Sequence, residues 1–217
     1  MNFQELFDFL EDLNRNNSKD WMDANRKRYE KVRDAYKKWL QEMDLMLAEV
    51  DSDYYTTLPG KAINRINNNL LYHPNKPVYK DHFGAGLDKR PKTGDFYIHL
   101  GIEEKFIGGG FYRPKSDLLR SIREAIDYNG EELVEIIEKP SFVKMFGGLY
   151  EDEELTNAPK GFDKTHPHIE LLKKKTFVVM YELKLDDILS PKYKELVKEV
   201  YLEMLPFRRY LNKAVTV

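Results

Sequence analysis

The 217-residue sequence contains no cysteine. This absence excludes disulfide bonds, zinc sites built from thiolates, and any reaction that needs a cysteine nucleophile. A cysteine-free chain also fits a reducing compartment. The opening MNFQELFDFLEDLN does not resemble a signal peptide, because acidic residues interrupt its apolar positions. We therefore expect a soluble, cytoplasmic protein.

Long apolar runs and a strong net charge are also missing. No segment approaches the roughly 20 apolar residues of a transmembrane helix, so no membrane association is expected. The 35 Lys and Arg residues against 37 Asp and Glu residues leave a formal charge of -2, which creates no global attraction to nucleic acid or anionic lipid. Local basic runs such as Lys173–Lys175 lack aligned aromatic residues, and nucleic-acid binding is not predicted.

Helical periodicity is clear near the N-terminus. Apolar residues from Phe3 to Leu13 predict a first helix with Asn2 as its N-cap. Ser18 is expected to cap a much longer helix, whose apolar stripe contains Tyr29, Val32, Tyr36, Trp39, Met43, Met46 and Val50. That stripe could bind a partner or a second copy in a homodimer. Bulky aromatic residues at these positions favour instead an ordinary helix packed on the core.

The second half of the chain predicts further helices and a strand. Pro114 begins a helix that ends at Asn129 and Gly130, and a second helix follows as far as Pro140. The apolar run in Thr176–Leu183 predicts a strand buried on both faces. The last helix begins near Ser190 and is expected to be interrupted near Pro206.

A β-hairpin is the clearest strand pattern. Residues Phe96–Ile102 alternate apolar and polar side chains, Glu103 and Glu104 make a tight connection, and Lys105–Tyr112 returns. Val78–Phe83 predicts another short strand. The fold class is therefore α+β, with a mainly antiparallel sheet packed against several helices, one of them long and N-terminal, in a single domain of residues 1–217.

The chemically unusual residues are concentrated in Ile63–Tyr112. Guanidinium and ammonium groups bind phosphate or carboxylate, and imidazoles transfer protons near neutral pH. Asparagines suit a loop that lines a ligand, and they suit an ordinary loop equally well. The residues that we predict to bind a ligand are Arg65, Asn68, Asn69, Lys76, Tyr79, Lys80, His82, His99 and Gly109, with His166 from later in the chain. The pattern predicts a pocket for an anionic small molecule and assigns no cofactor.

Three other patterns allow two interpretations each. The glycines at 108–110 indicate either a bulge in a strand or a close approach to a ligand. Their spacing matches neither the dinucleotide-binding motif nor the phosphate-loop motif. The His166-Pro167-His168 sequence could bind a metal ion, but it lacks a further ligand at fixed spacing, and a role in fixing the loop is favoured. The acidic run 151–154 is interpreted as a solvated turn.

Several segments resemble the signature segments of a conserved bacterial and fungal family catalogued as a domain of unknown function, number twenty-four sixty-one. The segments are FLEDLNRNNSKDWMDANRKRYE, NKPVYKDHFGA, YIHL, FIGGGFYRP and GFDKTHPHIELLKKKTFVV. They occur in the same order as in the family, and the resemblance extends over nearly the whole chain.

The central motif of that family has the form RxxRDxRF, followed by an Asp/Asn-Lys pair and a Tyr. The matching residues here are Arg65, Tyr72, Asn75, Lys76 and Tyr79. The resemblance therefore implies that Asn68, Asn69 and Leu71 replace Arg, Asp and Arg, which removes two cations and a carboxylate. If the family catalyses a reaction through those groups, this chain is expected to have an altered site. A scaffold protein that docks through its long helix is the alternative to an anion-binding pocket.

Overall fold

The computed structural model describes residues 1–215, with Pro59 described by its backbone alone. Four strands form one antiparallel sheet in the order β1-β2-β3-β4, and the α+β prediction is confirmed. The strands are β1 His82–Leu87, β2 Phe96–Gly101, β3 Lys105–Phe111 and β4 Phe177–Glu182. The helices are α1 Phe3–Arg15, α2 Lys19–Ala24, α3 Arg26–Val50, α4 Pro59–Ala62, α5 Ser116–Glu138, α6 Pro140–Phe146, α7 Ile169–Lys173, α8 Leu185–Leu189 and α9 Tyr193–Ala214.

The contacts within the chain separate two compact units. Unit 1 contains residues 1–89, 97–107 and 182–198, and unit 2 contains residues 90–96, 108–181 and 199–217. The single-domain organisation remains a prediction. Among the helices of residues 1–215, none combines the length and apolar composition that crossing a bilayer requires.

In unit 1, the N-terminal helices follow from local capping. Asn2 caps α1 by accepting a hydrogen bond from the Glu5 N–H. Ser18 does the same for Trp21, but it caps only the six-residue α2, and the long helix begins again after Asn25. The prediction of one uninterrupted helix from Ser18 was therefore wrong at that break.

The apolar stripe of α3 is buried within unit 1. Tyr36 and Met43 are fully buried, and Trp39 stacks on Tyr193 with ring centres 5.3 Å apart. Phe3 meets the same tyrosine edge-on at 5.2 Å. Only the end of the predicted stripe, Val50, is exposed. The helix therefore packs into the core of its own unit, as the aromatic residues of the stripe indicated.

In unit 2, the break at Asn129 is confirmed as a kink inside α5, where the backbone leaves helical geometry at φ -149° and ψ 56°. In α9, by contrast, the helix continues through Pro206 to Ala214, so the predicted interruption is wrong. Strand β4 alternates between buried and half-buried positions at Phe177–Met180. Burial on both faces, predicted from its apolar run, is therefore not observed.

Candidate functional site

Residues 63–68 lie antiparallel to residues 78–85, which include the first half of β1. The Asn64 N–H donates to the Gly84 carbonyl at 2.8 Å, and the Lys80 N–H donates to the Ile66 carbonyl at 2.8 Å. Isolated bridges join Ile63 to Ala85 and residue 67 to residue 79. This pairing places the polar residues of the 63–68 segment beside the sheet.

An aromatic and imidazole cluster occupies the polar face of the sheet in unit 1. The ring centre of His99 lies 4.1 Å from that of His82 and 4.7 Å from that of Phe106, which is nearly parallel to it. The Tyr97 hydroxyl lies 3.4 Å from His99 Nδ1. We call these four residues the His99 cluster. Alternation along β2 turns the fully buried Ile98 toward the core and His99 away from it.

Two glycines make room for the His99 cluster. A Cβ atom on Gly84 would lie 2.2 Å from the Tyr97 hydroxyl oxygen, and one on Gly101 would lie 2.9 Å from His99 Nε2. Both distances are far below van der Waals contact, so any larger residue would displace the ring above it. The glycines therefore fix where the Tyr97 and His99 side chains can lie.

Burial and neighbouring positive charge keep His99 neutral. Burial, followed by the charge of His82, lowers the pKa of His99 from 6.5 to about 4, and Lys80 acts in the same direction. Asp81 opposes the shift, but its carboxylate is paired with His82 Nδ1 at 3.0 Å. Burial also raises the pKa of the Tyr97 phenol. At neutral pH the cluster therefore presents an uncharged imidazole beside an uncharged phenol.

We expect this low pKa to make folding stability depend on pH. Below about 6.5 the unfolded chain protonates His99 before the folded chain does, so stability should fall as the pH decreases toward about 4. The measurement is the free energy of unfolding across that window. His99→Gln should flatten the slope, whereas His73→Gln, at an exposed loop histidine, should leave it intact. Equal slopes in all three proteins would contradict the assignment.

Three cations gather beside the cluster. Lys80 Nζ donates to the Arg65 carbonyl at 2.8 Å. Burial, then the charges of Arg65 and Lys76, lowers the pKa of Lys80. Within residues 1–215 none of these three cations is in an ion pair with a carboxylate, whereas cations elsewhere in unit 1 often are, as in the Lys194–Glu42 pair at 2.6 Å. The result is a local excess of positive charge.

Four of the predicted ligand residues are therefore brought to one region of unit 1, namely Arg65, Lys80, His82 and His99. Lys76 is close enough for its charge to act on Lys80. Sequence reasoning missed Asn64, Tyr97 and Phe106. The YIHL alternation contained a signal for Tyr97, because residues two apart on a strand share a face.

Other predicted residues of unit 1 hold the chain in place. The Asn68 side chain donates to the Pro77 carbonyl at 2.9 Å, and the Asn69 carbonyl accepts from the His73 N–H at 3.0 Å, which closes the loop between them. Tyr79 is 4% exposed. Its backbone N–H and carbonyl both bond the Asn17 side chain at 2.9 Å.

Gly109 and His166 belong to unit 2, where packing and loop geometry explain both. A Cβ on Gly109 would lie 2.3 Å from Met204 Sδ, so the glycine lets that side chain pack directly on the strand. His166 Nδ1 accepts from the His168 N–H at 3.0 Å, and its Nε2 lies 3.2 Å from Asp127. No group of three or more possible metal ligands occurs in residues 1–215.

The acidic run 151–154 is more ordered than a solvated turn. The Arg113 guanidinium binds the Asp152 carboxylate through two hydrogen bonds, of 3.0 Å and 2.6 Å. Thr176 donates a third, at 2.6 Å. These partners hold the pKa of Asp152 well below its usual range. Asp152 therefore anchors this loop within unit 2.

The chain is an α+β protein with an imidazole and cation cluster on the polar face of its sheet. It belongs to the conserved hypothetical protein family DUF2461, which matches residues 5–210. The resemblance found in the sequence motifs is thereby confirmed. No curated protein and no solved structure matches the chain.

Proposed function

We propose that unit 1 binds an anionic ligand, bearing phosphate or carboxylate, at the His99 cluster and the cations beside it. The observation that carries this proposal is the group of three cations without a carboxylate partner. Arg65 and Lys76 repel Lys80 strongly enough to help lower its pKa. An anion would replace that repulsion with charge-assisted hydrogen bonds, which are the stronger kind.

Geometry supports a site for a small ligand more than a docking helix. Lys80 is held by its bond to the Arg65 carbonyl, and His99 is held by the parallel ring of Phe106. Side chains restrained in this way lose little further entropy on binding. The long helix offers no comparable surface, because its stripe is buried in unit 1.

Binding, and not turnover, is the activity that we propose. In the family pattern described above, the loop before Lys76 carries Arg, Asp and Arg where this chain has Asn68, Asn69 and Leu71. Amide and apolar side chains neither hold a fixed charge nor act as a base. Asn68 and Asn69 instead close the loop through hydrogen bonds.

We expect inorganic phosphate to raise the melting temperature of the wild-type protein and to bind in isothermal titration calorimetry. The double variant Arg65→Gln/Lys80→Gln removes two of the cations and should weaken phosphate binding by about tenfold or more, because hydrogen bonds to charged groups contribute about 1.5–3 kcal/mol each. Without phosphate, the stability of the variant should stay close to that of the wild type, since the removal of mutual repulsion offsets the loss of the Lys80 bond to the Arg65 carbonyl.

The matched control is Lys27→Gln/Lys160→Gln. Both lysines are exposed and neither is in an ion pair within residues 1–215, so the control loses the same charge at sites outside the cluster. Its phosphate affinity should equal that of the wild type. Absence of phosphate binding by the wild type, or equal losses in the two double variants, would reject the proposal.

A further inference from the structure

We propose that His99 contacts the bound anion as a neutral hydrogen-bond donor through Nε2–H, and that Tyr97 is the positioning residue that fixes this tautomer. This inference rests on the proposed anion site and specifies how one ligand oxygen is recognised. It also decides between two roles that an imidazole in such a site could have, namely hydrogen-bond donor and general base.

The direction of the hydrogen bonds sets the tautomer. The amide nitrogen of Asn64 borders the same point as the Tyr97 hydroxyl, since a Cβ on Gly84 would lie 2.2 Å from the hydroxyl oxygen and 3.3 Å from Asn64 Nδ2. Because an amide nitrogen can only donate, the hydroxyl oxygen accepts from it, which also favours the phenolate form. With its oxygen accepting from the amide, the Tyr97 hydroxyl has its proton available for His99 Nδ1, 3.4 Å away. A neutral imidazole whose Nδ1 accepts must carry its proton on Nε2.

Nε2 is free to meet a ligand. Within residues 1–215 it has no hydrogen-bond partner, and it is not among the unpaired side-chain atoms that are sealed in the interior. Phe106 covers one face of the ring, and His82 lies against the ring at 4.1 Å. Gly101 leaves the space next to Nε2 without a side chain. The ring can therefore neither flip nor turn away without losing these contacts.

A cation also lies near the Nε2–H donor of His99. Lys80 lies close enough to His99 for its charge to act on the ring, and Arg65 is bonded to Lys80 through its carbonyl. An oxyanion beside Nε2–H would thus meet a neutral donor and at least one cation together. Because the lone pair of Nδ1 is occupied by Tyr97 and Nε2 is protonated, His99 has no basic nitrogen for the ligand. The recognised group is therefore a deprotonated oxyanion oxygen and not a hydroxyl that must be deprotonated.

The tautomer is directly observable. Two-bond ¹H–¹⁵N spectra of the full chain at neutral pH, with ¹⁵N-labelled imidazoles and His99 assigned by its loss in His99→Gln, report which nitrogen carries the proton. We expect Nε2 protonated and Nδ1 unprotonated in the wild type. Tyr97→Phe should mix the two tautomers, whereas Tyr128→Phe, at a tyrosine that is 91% exposed, should not.

Phosphate titration tests the contact itself. Inorganic phosphate should shift the Nε2–H resonance of the wild type, and Tyr97→Phe should weaken binding by about two- to tenfold, the range for one hydrogen bond. A glutamine amide reaches the position of Nε2 and an asparagine amide that of Nδ1. His99→Gln should therefore retain more phosphate affinity than His99→Asn, a difference that a purely structural role would not produce.

The outcomes are distinguishable. An Nδ1–H tautomer in the wild type, an unchanged tautomer and affinity in Tyr97→Phe, or phosphate binding that leaves the Nε2–H resonance in place would each overturn the inference and preserve the anion site. Complete absence of phosphate binding would overturn both.

Discussion

Gly110→Ala is expected to destabilise unit 2 by about 3–4 kcal/mol. A Cβ at this position would lie 2.1 Å from the carbonyl oxygen of Phe177. That oxygen is backbone in β4, so it cannot move aside as a side chain would. Gly110 also has φ +115°, a conformation that residues with a side chain rarely adopt. The measurement is chemical denaturation followed by circular dichroism.

Alanine variants at two other glycines distinguish the effect of backbone strain from that of steric clash. Gly147 has φ +73° with no atom within 4 Å of its Cβ position, so its alanine variant should lose only about 1 kcal/mol. Gly60 has neither a positive φ nor a neighbour within 4 Å, and its alanine variant should be close to neutral. Equal losses at Gly110 and Gly147 would show that the contact with β4 is unimportant.

Asp44→Ala is expected to cost about 2–4 kcal/mol, because it leaves one buried and one half-buried donor without an acceptor. Asp44 lies on α3, is 4% exposed, and accepts through one oxygen, Oδ1. The donors are the Tyr54 hydroxyl at 2.6 Å and the Thr57 N–H at 3.0 Å. Thr57 is itself 5% exposed, so water cannot readily replace the lost acceptor. Urea denaturation of the variant measures the loss.

Asparagine is the matched replacement at this position. Since both bonds end on the same oxygen, the carbonyl of Asp44→Asn can accept both of them. Within residues 1–215 no cation is in an ion pair with Asp44, so removing its buried charge should cost less than about 1 kcal/mol or even stabilise the fold. If the asparagine variant were as unstable as the alanine variant, the charge and not the hydrogen bonds would be the important property.

Features set by neighbouring residues were predictable from the sequence. The hairpin of β2 and β3 follows from the alternation along Phe96–Ile102, although its connection, residues 102–104, is one residue longer than predicted. The kink at Asn129 follows from the weak helix propensity of Asn-Gly. The exceptions depended on tertiary packing. α9 continues through Pro206 because flanking residues such as Met204 and Phe207 are fully buried and hold the helix together.

The site was only partly predictable, because register between strands cannot be read from one strand alone. His82 and His99 come from different strands, and only their pairing reveals a contact of 4.1 Å. The same is true of Asn64, which reaches the Tyr97 hydroxyl from a segment without regular alternation. Tyr79 shows the reverse case. Its match to the family motif suggested a ligand residue, but it is only 4% exposed and the Asn17 amide bonds its backbone.

The interleaving of the two units also affects how the protein can be made. Unit 1 takes its last segment from residues 182–198, which begins 75 residues after the preceding segment ends at residue 107. During translation, Phe3 and Trp39 must therefore wait for Tyr193 before their aromatic cluster is complete. The nascent chain exposes this apolar surface for most of its synthesis, which is the situation in which chaperones bind. For the same reason no single cut of the gene yields unit 1 as a continuous fragment.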